Sequence, residues 1–298
     1  MFGELFTAMV TPFDQNGIIA TDVISTLSKK LIKDGSDGIV LAGTTGESPN
    51  LSQEDRIILY KTTVNSVGDK AKIVAGTGTY STKESIELSK QAEDMGVHAV
   101  MIVTPYYSKP SQKGIYQHFQ NISDAINIPI IAYNIPGRTS RLIEIDTLVE
   151  IVKDTNVFAI KDAVNDINFT KLEIETFSNL SDEIDVAIYS GDDKLTLEMM
   201  KLGAKGVISV ASHIVGNEIR LLIDAYKKGS LDSAEEINRE LSLLYDLIFE
   251  EPSPAPIKSI LNDSFGYVGS CKLPLVDAST DLSSKLTKEY TRIKNLKL

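Results

Sequence analysis

The stretch PIIAYNIPGRTSRLIEIDTLVEIVKDTNVFAI, Pro129 to Ile160, contains one complete structural repeat. Pro129-Ile130-Ile131-Ala132-Tyr133 is a short apolar run that gives way to the Pro-Gly turn at Pro136-Gly137. Ile145 to Lys153 then sets apolar residues at three- and four-residue spacing with charges between, the signature of a helix with one buried face. Val157-Phe158-Ala159-Ile160 is a second run of the first kind. Strand, turn, helix, strand is the reading.

The same unit recurs on both sides. Further strand candidates centre on Ala8-Met9-Val10, Gly38-Ile39-Val40-Leu41, Lys72-Ile73-Val74-Ala75, Ala99-Val100-Met101-Ile102-Val103, Val186-Ala187-Ile188-Tyr189 and Gly206-Val207-Ile208-Ser209-Val210. Helical periodicity fills Asp22 to Lys33, Ser52 to Val67, Ser81 to Met95, Gly114 to Ala125, Asp193 to Leu202 and His213 to Lys228. Ser52 with Asp55 three residues on reads as a capping box with the shorter acid. Gly35, Gly96, Gly203 and Gly229 sit where helices should stop. About eight such repeats, roughly 20 to 35 residues apart, predict a (β/α)₈ barrel of the TIM type. An open doubly wound sheet uses the same alternation, but strand number and the lack of Gly-x-Gly-x-x-Gly after the first strand favour the barrel.

Beyond Gly229 the strand signal ends. Leu231 to Glu250, Ile257 to Asn262 and Leu282 to Asn295 read as helices around the Pro-rich turn 251–256. The expected division is a catalytic barrel over 1–229 and a helical appendage over 230–298 packed on it.

The 298 residues are 42% hydrophobic and 24% charged, a globular composition. A net charge of -11 argues against nucleic acid or an anionic membrane as the main partner. The single cysteine, Cys271, rules out an intrachain disulfide framework and fits a reducing compartment. Met1 to Phe6 lacks the pattern of a signal peptide, and no apolar run reaches the roughly 18 residues of a membrane span, so a cytoplasmic location is expected. His98, His118 and His213 show no zinc-ligand spacing. No metal or cofactor is expected, and carbonyl chemistry would fall to a lysine.

In such a barrel the loops after the strands form the reactive face. Lys161 ends an apolar run, with Val157 and Ala159 on the same face. Facing inward, its ammonium would be desolvated and its neutral amine could attack a ketone; the alternative is a structural lysine paired to Asp162 or Asp192. Gly43-Thr44-Thr45-Gly46 offers hydroxyls and backbone N–H groups to a carboxylate, or is an ordinary turn. Tyr133 is a proton donor or a core tyrosine, and Arg138 a carboxylate clamp or a solvated surface residue. Asp192-Asp193 before a helix reads as an N-cap rather than a metal site.

Taken together, these segments resemble the dihydrodipicolinate synthase family of class I, pyruvate-dependent aldolases and lyases. The motifs that carry the likeness are Thr11-Pro12-Phe13, Gly43-Thr44-Thr45-Gly46-Glu47-Ser48, Thr104-Pro105-Tyr106-Tyr107, Tyr133-Asn134-Ile135-Pro136-Gly137-Arg138-Thr139, Ile160-Lys161, Ser190-Gly191-Asp192-Asp193 and Gly206 to Val210. The resemblance implies that Lys161 forms a Schiff base with pyruvate and that Thr44 and Thr45 hold its carboxylate. It implies that Tyr133 moves protons through the Thr44 hydroxyl to Tyr107 of a neighbouring subunit, and that Gly191 and Ile208 line the pyruvate pocket. Arg138 in this motif implies aspartate 4-semialdehyde as second substrate. N-acetylneuraminate lyases and 2-keto-3-deoxy sugar acid aldolases, the alternative within the superfamily, usually differ after the proline. A homodimer, or a homotetramer built as a dimer of dimers, is implied. Positions matching the family's lysine-binding allosteric pocket are Ser48, Pro49, Gln53, Arg56, Tyr80, Glu84 and Tyr106. Lysine-sensitive members typically carry histidine at the position of Arg56 and asparagine at that of Tyr80, so weak or absent feedback inhibition is expected.

Overall fold

Strands covered on both faces need no polar alternation, which is why the runs above are continuously apolar. In the computed structural model, which describes residues 2–180 and 184–296, they form β1 (Leu5–Ala8), β2 (Gly38–Leu41), β3 (Lys72–Gly76), β4 (Ala99–Val103), β5 (Ile130–Asn134), β6 (Val157–Asp162), β7 (Ala187–Ser190) and β8 (Gly206–Ser209). Their order is sequential around a closed barrel. The helices are α1 (Thr21–Lys33), α2 (Gln53–Val67), α3 (Thr82–Asp94), α4 (Gln112–Ser123), α5 (Pro136–Thr139), α6 (Ile145–Asp154), α7 (Ile167–Asn179), α8 (Thr196–Leu202) and α9 (Ser212–Lys227). Beyond them lie α10 (Leu231–Leu247), α11 (Ala255–Ser264) and α12 (Thr280–Lys294).

Local chemistry sets most boundaries. The Ser52 hydroxyl accepts from the Asp55 N–H and the Asp55 carboxylate from the Ser52 N–H, both at 3.1 Å, a reciprocal cap worth about 1 kcal/mol. Gly35, Gly96, Gly203 and Gly229 all have positive φ where helices end.

Three elements differ from expectation. The first strand spans Leu5–Ala8 rather than centring on Met9, because the Val10 N–H leaves the ladder to donate to His213 Nε2 at 3.0 Å. Helix α7 escapes the apolar pattern because two of its four buried positions, Thr170 and Glu173, are polar. Helix α8 begins at Thr196 rather than Asp193, so the acidic pair belongs to the preceding turn.

The chain falls into two compact units, Met1–Ala71 with Ser209–Leu298, and Lys72–Ile208. In the first, β1 pairs with β2 through Phe6↔Gly38, Thr7↔Ile39 and Ala8↔Val40. His213 is fully buried there, its Nδ1 2.7 Å from the Val210 carbonyl, and burial pushes its pKa down to about 4. Arg220 ties Glu4, Asp37 and the Gly35 carbonyl together. Helices α10 and α11 pack on α9, and α12 packs on both. Positions 297 and 298 of the expected appendage lie outside the described residues. In the second unit β3 to β8 pair in parallel register.

Candidate active site

Side chains alternate along β6, so Ala159 and Lys161 face one way and Ile160 and Asp162 the other. The register sets Tyr133 of β5 and Tyr189 of β7 level with Lys161. Three neighbouring strands thus present an amine flanked by two tyrosines. Lys161 is 5% exposed, with Nζ 4.3 Å from the centroid of the Tyr133 ring. Loss of hydration lowers its pKa to about 8; the Asp193 carboxylate opposes this shift and the Arg138 charge adds to it. At pH 7.5 such an amine is roughly a quarter neutral, against about a thousandth for an ordinary lysine.

The acid acting on this amine is neither of the two the sequence suggested. Asp162 accepts the Thr170 hydroxyl and, at 2.8 Å, the Val164 N–H, while burial raises its pKa. Asp192 accepts the Lys194 N–H at 2.8 Å in a local turn. Asp193, 2% exposed, supplies the charge. The expected N-cap is corrected with it: α8 has no side-chain cap, and the Thr196 N–H goes to the Asp193 backbone carbonyl at 3.3 Å. Sequence reasoning named Asp193 only as one of a pair and missed Tyr189 altogether. The place of the tyrosine depends on strand register, which no local sequence signal carries.

Gly191 packs against β6 close to the lysine stem. A Cβ there would stand 2.6 Å from Ala163 Cβ, 3.0 Å from the Asp162 carbonyl and 3.2 Å from Lys161 Cε, so a larger residue would force Ala163 to shift and crowd the lysine stem. Ile208 on β8 is 1% exposed. The Thr104 N–H and hydroxyl both donate to the Tyr133 carbonyl, at 3.0 and 3.1 Å, and fix the end of β5. Asn134 donates to the Ile143 carbonyl and accepts its N–H, both at 3.0 Å. The Thr139 hydroxyl donates to the Ile135 carbonyl at 3.0 Å. These bonds hold the helical turn α5, on which Arg138 is exposed yet near enough to act on Lys161.

Lys161, Tyr133, Arg138 and Gly191 are therefore brought together in one unit. Thr44 and Thr45 follow β2 in the other, in a turn closed by Glu47 N–H to Thr44 carbonyl at 3.0 Å and Ser48 N–H to Gly43 carbonyl at 3.2 Å. Thr45 is 5% exposed and Thr44 half-buried. Tyr107 is 91% exposed, with φ at +67°, an uncommon backbone for an aromatic residue. Of the lysine-pocket candidates, Pro49 and Gln53 are exposed, and buried Arg56 donates to the Ser48 carbonyl and hydroxyl at 2.7 and 2.9 Å. Tyr80 meets Tyr106 edge to face at 5.6 Å, and Glu84 is exposed.

Among the described residues no cluster of three His, Cys, Asp or Glu is arranged to hold a metal, and no helix is long and apolar enough to cross a membrane. The three histidines are dispersed: His98 Nδ1 accepts the Ile73 N–H at 3.0 Å, and His118 Nδ1 lies 2.9 Å from the Thr82 hydroxyl.

Comparison with known proteins places the chain in a family and agrees with its fold. The profile of the dihydrodipicolinate synthetase family matches residues 1–293. The chain is 45% identical over 294 residues to a 4-hydroxy-tetrahydrodipicolinate synthase of Bacillus subtilis, covering 98% of this chain and 99% of that one. A crystal structure of a dihydrodipicolinate synthase from Bacillus anthracis superposes with a TM-score of 0.93 at 42% identity, covering 98% of each chain. The chloride-inhibited dihydrodipicolinate synthase of Acinetobacter baumannii, solved in complex with pyruvate, gives 0.93 at 33% identity, covering 99% of this chain and 100% of that one.

Proposed function

The chain belongs to the dihydrodipicolinate synthetase family, and from that membership we propose that it joins pyruvate to L-aspartate 4-semialdehyde, giving 4-hydroxy-tetrahydrodipicolinate on the route to diaminopimelate and lysine. The observation that carries this reading is the buried Lys161 amine, with a pKa near 8, lying over the Tyr133 ring.

The neutral amine attacks the ketone carbon of pyruvate, and water leaves as the imine forms. Loss of a methyl proton turns the imine into an enamine, whose carbon adds to the aldehyde of the second substrate. The product's own amine then attacks the imine carbon and closes the ring, and the Lys161 amine leaves as its C–N bond breaks, which restores the lysine. Thr44 and Thr45 hold the pyruvate carboxylate, while Gly191 and Ile208 shape the pocket. Tyr133 donates and accepts the protons of these steps, relayed by the Thr44 hydroxyl to Tyr107 of a second protomer. The protein is then a homodimer, or a tetramer made of two dimers. The outward placement of Tyr107 on its own chain supports that arrangement. The one cysteine fits a cytoplasmic location.

The test is to incubate the protein with pyruvate and borohydride, digest it and weigh the peptides; a reduced pyruvyl adduct on Lys161 is expected. Condensation with aspartate 4-semialdehyde should far exceed cleavage of sialic acid or keto-deoxy-gluconate. The reverse preference would assign the chain to the sugar-acid branch.

Arg138 serves the second substrate, because its guanidinium suits an aldehyde bearing its own carboxylate. Arg138→Ala should raise the KM for aspartate semialdehyde about 10- to 100-fold while pyruvate is still trapped, since a charge-assisted clamp is lost and the amine is kept. Equal damage to trapping and condensation would refute the assignment.

L-lysine should inhibit weakly or not at all. Arg56 and Tyr80 stand where lysine-sensitive members typically carry histidine and asparagine, and Arg56 is committed to the Ser48 carbonyl and hydroxyl. A micromolar inhibition constant in steady-state assays would overturn this.

A further inference from the structure

Two pieces of sequence have no part in the chemistry above: Thr11-Pro12-Phe13, and the Glu47 that ends the two-threonine turn. In the folded chain they meet at one place. Glu47 and Lys258 form an ion pair at 2.7 Å with side chains 0% and 1% exposed. The other Glu47 oxygen accepts the Lys272 N–H at 2.7 Å, and Lys258 also donates to the Ser270 carbonyl at 3.1 Å. Both ammonium groups, of Lys258 and Lys272, lie 4.4 Å from the centroid of the Phe13 ring. The Phe13 N–H donates to the Val268 carbonyl at 3.0 Å. Helix α11 and the segment after it are thereby fastened to Phe13 and Glu47.

Glu47 in turn controls the backbone of the threonines. Its N–H donates to the Thr44 carbonyl, and its φ of +56° is a left-handed conformation that a residue other than glycine holds at a cost. The Thr11 hydroxyl donates to the Gly46 carbonyl at 2.6 Å and holds the turn from the other side. A side chain at Gly46 would crowd the Ala42 backbone, its Cβ 3.0 Å from the nitrogen. A fully buried ion pair is a poor source of stability compared with an apolar pair of equal volume. What it supplies here is direction: one ammonium and one backbone N–H fix the Glu47 carboxylate, and the Glu47 N–H holds the Thr44 carbonyl.

We propose that Glu47 and Lys258 are positioning residues for the turn that holds pyruvate's carboxylate, and that the C-terminal segment 255–272 orients Thr44 and Thr45 through their buried pair. This rests on reading those threonines as the carboxylate holders. It gives the C-terminal region a function: the barrel needs that segment to bind its first substrate, beyond any need for it to fold.

The experiment compares Lys258→Met, Glu47→Gln and the double variant E47Q/K258M, each in the full-length protein. Pyruvate KM, aspartate-semialdehyde KM, kcat, the unfolding midpoint and borohydride trapping are measured for each. Pyruvate KM should rise about 10- to 100-fold with kcat changed less, because a displaced turn weakens carboxylate binding before it touches the amine. Trapping should slow at limiting pyruvate and return to wild-type yield at saturation, and the KM for aspartate semialdehyde should hold. Folded variants with a lowered unfolding midpoint but wild-type pyruvate KM would overturn the proposal, since the pair would then be structural only. If Lys258→Met does not fold, Glu47→Gln, close in shape and uncharged, decides by the same criterion. Absence of any pyruvate adduct in the wild-type protein would defeat the reading of the site itself, a result distinct from unchanged KM in the variants.

Discussion

Replacing Lys161 by methionine is expected to eliminate both the borohydride-trapped pyruvyl adduct and the condensation activity, a loss on the order of 10³-fold or more, because no other group forms the imine. The variant should fold. Methionine has similar length and removes a buried, desolvated amine, so the unfolding midpoint should hold or rise. Lys161→Arg separates charge from nucleophilicity. An arginine keeps the cation but has no neutral amine at accessible pH, so it too should be inactive. Appreciable activity in Lys161→Arg would mean that the residue acts as a fixed charge and that no imine forms.

The pH dependence follows with a definite sign. Only the deprotonated amine attacks, so adduct formation should rise with pH and level off above about 8. Asp193 stabilises the ammonium, so Asp193→Asn should move this rise to lower pH. Arg138 destabilises it, so Arg138→Ala should move the rise to higher pH. The two shifts have opposite directions. Trapping rates measured from pH 6 to 10 would expose a wrong assignment if both variants moved the same way.

The second large effect belongs to Tyr133. Tyr133→Phe keeps the ring beneath the ammonium and removes only the hydroxyl. Its kcat should fall about 10²- to 10⁴-fold, the range for losing a positioned proton donor. Trapping should still reach completion with time, more slowly, because the nucleophile remains. Wild-type kcat in this variant would assign the proton steps to another group. Tyr189, level with Lys161 on the opposite neighbouring strand, is the first to examine in that case.

The local parts of this protein are legible in its sequence. The βα repeat around Tyr133 is visible because strand and helix differ in period and because Pro136 and the helix-ending glycines interrupt both. The cap at Ser52 and Asp55 involves residues three apart, and nothing distant decides it. Helix α7 was not legible. Thr170 and Glu173 stand where an apolar stripe would be read, Thr170 bonding Asp162 and Glu173 lying fully buried with its pKa raised well above the usual range. Packing made polar residues internal there, and a periodicity argument has no access to that.

From the sequence alone came the order and number of the repeats and the position of a lysine at the end of the sixth strand, since turns, caps and alternation depend on neighbours along the chain. Only the tertiary structure decided which carboxylate acts on that lysine and that Tyr189 stands level with it. It alone decided that Lys258 reaches Glu47. The reason is physical: strand register and desolvation come from residues far apart in the chain, and one step of register would exchange Lys161 for Asp162 on the inner face.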